Sequence, residues 1–167
     1  MFRILKSLLV LFIGLHALFY ALQNLANFGE AQAALGYVMS GADHAAYPHT
    51  LFFKSGSSAL HLAALILVLI GEFSVAFFGI KGGWDLFAAR NGTPEKFRTA
   101  KSAGLWAAGI ALLTWFGLFM AFGGAFFQMW QTQVGDGSLR GAFYFAAISV
   151  LTMLFVVLTP DDQASTA

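Results

Sequence analysis

Four stretches of this chain run for roughly twenty residues with no more than one charged side chain each: about Ile4 to Leu25, Ser58 to Ile80, Ala103 to Phe126 and Leu139 to Thr159. At about 1.5 Å of rise per residue, a helix of that length covers the roughly 30 Å of hydrocarbon in a bilayer. Lipid offers backbone N–H and C=O groups no partner, so each stretch has to be helical if it crosses. The expectation is an all-α integral membrane four-helix bundle: one domain over residues 1–160, then a short disordered tail from 161 to 167.

Composition agrees. Of 167 residues 59% are hydrophobic and 10% charged, against about a quarter charged in soluble domains. A net charge of +1 gives no electrostatic case for nucleic acid as a partner. With no cysteine, disulfides, thiolate metal sites and cysteine nucleophiles are excluded. Arg3 and Lys6 before an apolar run resemble a signal peptide. The run to Leu22 is longer than a typical signal core, however, and Gln23, Asn24 and Asn27 follow it instead of a small-residue cleavage site. It reads as a retained first span.

Charge gives the direction. Arg3, Lys6, Lys81, Arg90, Lys96, Arg98 and Lys101 fall on one side of the predicted spans, and only Lys54 and Arg140 on the other. The positive-inside bias predicts both termini in the cytoplasm, N-in and C-in. Between spans, Glu30 to Met39 has helix-forming composition and could lie along the interface. Lys81 to Lys101 reads as a basic loop broken by Gly82, Gly83, Gly92 and Pro94.

Polar residues at membrane depth are costly and usually face protein. Glu72 is the only acidic residue within a predicted span, about 5 Å to the cytoplasmic side of the centre of its helix. His16, Thr114, Trp115 and Ser149 fall near the centres of the other three. Together they suggest an intramembrane polar cluster of His16, Glu72, Thr114, Trp115 and Ser149. His16, Tyr20, Gln23 and Asn27 recur at helical intervals, marking an inward face of the first helix. Glu72 has two readings. It is a proton- or cation-handling carboxylate, or a protonated packing residue bonded to His16, Thr114 or Trp115. The packing reading carries more weight, since one ionisable group is thin for a relay.

The histidines raise the question of haem. Two axial ligands need one depth, but His61 lies about 12 Å from the membrane centre and His16 about 2 Å. Asp43, His44 and His49 have no recognised metal spacing, so no cofactor and no metal is expected. Gly71 and Gly79 in the second span, and Gly117, Ala121 and Ala125 at four-residue spacing in the third, predict close helix packing. Gly123-Gly124 should kink the end of the third helix, with Met129, Trp130 and Gln131 as interface anchors.

The span from Lys6 to Asn24, Glu72, Phe97-Arg98-Thr99-Ala100-Lys101 and Trp115-Phe116-Gly117-Leu118-Phe119-Met120 resemble a bacterial family of predicted small integral membrane proteins, domain of unknown function twenty-one sixty-five. Gly123-Gly124-Ala125-Phe126-Phe127-Gln128-Met129-Trp130-Gln131, the most specific piece, and the closing Pro160-Asp161 fit as well. The family pattern has an acidic and an indole side chain where this chain has Ala125 and Phe126. The resemblance implies four spans and a bacterial inner membrane, and it supplies no activity.

Three functions compete. The first is an accessory or structural subunit of a larger membrane complex, respiratory or photosynthetic, with other integral membrane subunits as partners. The second is a small oligomeric transporter or channel using Glu72. A membrane enzyme built on Asp43, His44 and His49 comes last, because nothing pairs a nucleophile with a base.

Overall fold

A computed structural model describes residues 2–161; the predicted tail beyond Asp161 lies outside the described residues. The order is α1 (Phe2–Ala26), α2 (Phe28–Met39), α3 (Ser58–Ala88), α4 (Pro94–Ala100) and α5 (Ser102–Ala111). A π-helical stretch (Leu112–Phe126) and a 3-10 turn (Met129–Gln131) follow, and then α6 (Gln133–Leu158). Four helical segments are long and apolar enough to cross a membrane: Phe2–Ala26, Ser58–Ala88, Pro94–Phe126 and Gln133–Leu158.

The bundle is held where glycine lets backbones meet. α1 and α3 make the most extensive contact in the molecule. At its centre a Cβ on Gly79 would stand 2.5 Å from both Cα and N of Gly14. One turn on, a Cβ on Gly83 would meet the backbone of Leu11 at 2.9 Å, and one on Gly82 would meet the backbone N of Gly104 in α5 at 2.6 Å. Without a hydrophobic drive between helices in lipid, such close approach is a main source of association. Gly82 and Gly83 therefore do not break a loop. α3 runs through them to Ala88, and they form the notch that receives α1 and α5.

The Gly117/Ala121/Ala125 seam needs correction. Gly117 has no neighbour beyond its own helix within 4 Å, and Ala121 and Ala125 are exposed. Four-residue spacing marks one face of an α-helix, but this stretch is π-helical, with i→i+5 bonds. Its closing bond, from Phe127 N to Phe122 O, has that spacing at 2.8 Å.

Local signals set the ends. Thr93 caps α4, its Oγ1 accepting from Lys96 N at 3.3 Å, with Pro94 in the first turn. Gln128, at φ 53°, turns the chain out of the π-helix. Thr132 caps α6, accepting from Gly135 N at 3.0 Å, and Asp136 lies in the first turn, where the helix dipole favours an acid. The turn tucks Met129 inward: it is 5% exposed and its sulfur packs at Gly123, so it is core and not an interface anchor. Trp130 stays exposed, its ring edge-on to Tyr47 at 5.3 Å. Gln131 ties in the long connection, accepting from Tyr47 N at 2.8 Å and donating to Tyr47 O at 3.2 Å.

Candidate functional site

Both described ends of the chain meet at one end of the bundle. Lys6, completely buried, donates from Nζ to Thr159 O at 2.6 Å, Pro160 O at 3.3 Å and Asp161 Oδ1 at 2.6 Å. Lys101 donates to Asp161 Oδ1 at 2.7 Å and Oδ2 at 3.0 Å. Asp161, expected in the tail, is therefore tied between two lysines. Burial alone would raise its carboxyl, but the bonds and charges of Lys101 and Lys6 outweigh that and hold it below the usual carboxylate range. Beside this clamp Arg3 donates to Gly92 O at 2.7 Å and stacks over Phe97 at 4.9 Å.

The predicted polar cluster divides in two. Asn24 Nδ2 lies 3.0 Å from each oxygen of Glu72, which is 2% exposed. Asn24 takes the place expected of His16, Thr114 or Trp115. Thr114 packs its Oγ1 and methyl against Gly71 of α3. The level of Glu72 explains the separation. Gly14 lies against Gly79; counting from that crossing at 1.5 Å per residue, Glu72 stands roughly 10 Å further along and His16 roughly 3 Å. The Asn24 signal was present in the chain: it follows Tyr20 by four residues and His16 by eight.

If the Asn24–Glu72 bond is a packing contact, Glu72→Gln should change stability by no more than about 1 kcal/mol, because an acceptor oxygen remains. Glu72→Leu should cost about 1–3 kcal/mol by leaving the amide unpaired. Midpoints of unfolding in mild detergent give the comparison, and equal stability of the two variants would remove the bond from the account.

His16 sits in an aromatic box. Its ring stacks on Tyr20 at 5.1 Å and meets Phe145 at 4.3 Å and Trp115 at 6.4 Å, edge-on. Its Nε2 is buried with no hydrogen-bond partner among the described residues. The same ring lines a cleft of about 160 Å³ between α1 and α6, with Ser149, Thr152, Phe12 and Ile148. Phe12 and Ile148 form its rim, each more than half exposed. The structure thus brings His16, Trp115 and Ser149 to one region.

At the far end, His61 Nε2 lies 2.9 Å from Ser55 O and its ring fills the space over Gly36. Asp43 accepts from the Tyr37 hydroxyl, and His44 is buried nearby. Among the described residues no three of His, Cys, Asp or Glu form a group that could hold a metal.

Four apolar helices packed through glycine, with Lys6, Glu72, Thr114 and Ser149 buried among them, define a small multi-span integral membrane protein. The model of a family described as predicted small integral membrane protein (DUF2165) matches residues 2–159. The chain belongs to that family. No curated protein and no solved structure matches it.

Proposed function

We propose that this protein is an accessory, structural subunit of a larger assembly in the bacterial inner membrane, respiratory or photosynthetic, with both termini cytoplasmic. The cleft between α1 and α6 carries the reading. Measured along α1, His16 stands ten residues from Lys6, roughly 15 Å, or half the hydrocarbon thickness. At that depth the cleft is lined by the His16 ring together with Ser149 and Thr152. Lipid tails offer such groups nothing, whereas a helix of another subunit bearing a polar side chain does. Tyr144, 58% exposed in the middle of α6, extends the polar character of this side. The basic residues support this sidedness: seven of the nine fall on the side assigned to the cytoplasm.

The test is a photo-reactive side chain introduced in cells at Phe12 or Ile148, on the cleft rim, and at Leu113, outside it. The expected result is an adduct with another integral membrane protein from the two rim positions only, lost with His16→Leu, and a matching larger particle in mild detergent. Recovery solely as monomer or homo-oligomer, with no heterologous adduct, would overturn the proposal.

A further inference from the structure

At the other end of the bundle from Lys6 and Asp161, α2 lies against α3 and closes one side of a groove of about 330 Å³ whose opposite side is the π-helical stretch. Leu35 and Val38 of α2, Ala64 and Leu67 of α3, and Leu118 and Phe122 of the π-helix line it, with no charged group among the lining residues. The groove reaches from Leu60 to Val68 of α3, so it runs roughly 12 Å along that helix. Its volume lies within the range of small-molecule pockets, about 300–1,000 Å³.

A polar slot adjoins the groove and shares Val38, Met39 and Phe127 with it. Lys54 and His44 line the slot. Lys54 is one of two basic residues at this end. The other, Arg140, is paired with Asp136 at 2.6 Å, whereas Lys54 has only a 3.3 Å bond to the carbonyl of Pro48 and no carboxylate partner among the described residues. Its stem lies across Gly41, whose φ of +70° and missing Cβ leave the room. The Asp43 carboxylate nearby is engaged by the Tyr37 hydroxyl. His44 is 8% exposed, and its Nε2 has no partner among the described residues. Burial and the Lys54 charge hold this imidazole below its ordinary range, so it adds no positive charge beside Lys54 at neutral pH.

An apolar groove ending beside an exposed lysine that has no carboxylate partner among the described residues matches one occupant found throughout a bilayer. We propose that this groove binds a membrane phospholipid with an anionic headgroup, one acyl chain lying between α2, α3 and the π-helix, the phosphate at the surface against the Lys54 ammonium. The charge favours phosphate over a neutral headgroup, and the apolar length favours a lipid over a free anion.

The experiment is native mass spectrometry of the full chain in mild detergent, titrated with dioleoyl phosphatidylglycerol, with dioleoylglycerol, or with inorganic phosphate. The expected result is a one-lipid complex with phosphatidylglycerol, binding about tenfold weaker for dioleoylglycerol, and no competition from inorganic phosphate. Lys54→Gln, an exposed substitution outside the helices, should lower phosphatidylglycerol binding to the dioleoylglycerol level. Ala64→Phe, which fills the groove, should abolish both. No complex with the unsubstituted chain, unchanged binding by Lys54→Gln, or a second protein chain in place of lipid would each overturn the proposal.

Discussion

Gly79→Val should destabilise the bundle by about 3 kcal/mol or more, enough to leave much of the chain unfolded or degraded at growth temperature. The new side chain would begin 2.5 Å from backbone atoms of Gly14. Backbone cannot swing aside as a side chain does, so α1 and α3 have to separate. That loosens the contact on which α5 also rests, because Gly82 and Gly104 meet just beyond it. Gly109→Val is the matched control: nothing lies within 4 Å of its Cβ direction, and replacing glycine within a helix should be neutral or slightly stabilising. Unfolding in detergent, followed by helical circular dichroism, should separate the two variants widely. Similar midpoints would mean that the glycine notch does not hold α1 to α3.

The second large effect is expected at the clamp on the chain ends. Asp161→Asn should cost about 2–4 kcal/mol, somewhat below the usual loss for a broken buried pair because Asp161 is partly exposed. The amide oxygen could still accept from the two lysines, but Lys101 would lose its second bond, the new NH2 would face two ammonium groups, and the wholly buried Lys6 would lose the negative charge that balances it. The carboxyl is held below its ordinary range in the folded protein. Its contribution is therefore complete above the unfolded value of about 3.9 and disappears as pH falls through the lower folded value. The stability difference between the two proteins should stay level from neutral pH down to about pH 5 and shrink below about pH 4. A constant difference through that range would show that the Asp161 charge does not stabilise the ends.

The four membrane-crossing helices were legible because a long uncharged run is both a strong signal and a physical necessity in lipid. Their internal geometry was less so. Gly82 and Gly83 read as loop breakers because glycine marks turns in water, whereas within a bilayer the same residues allow close packing. Ala121 and Ala125 share a face with Gly117 only at α-helical spacing, and nothing in Leu112–Phe126 marks the change to π bonding. Glu72 stood out by its charge, but its partner depends on how far α1 slides along α3, which the Gly14–Gly79 contact determines. Lys6, Lys101 and Asp161 looked like markers of sidedness and a tail, since an ion pair between residues 155 positions apart has no local signature.

Membrane chains are threaded into the bilayer helix by helix, and α1 carries a lysine whose partners lie beyond α6, at Thr159, Pro160 and Asp161. Until Asp161 leaves the ribosome, Lys6 has neither its carboxylate nor the Thr159 carbonyl. The opening helix thus has to remain free to tilt or rise toward water while the other three are made.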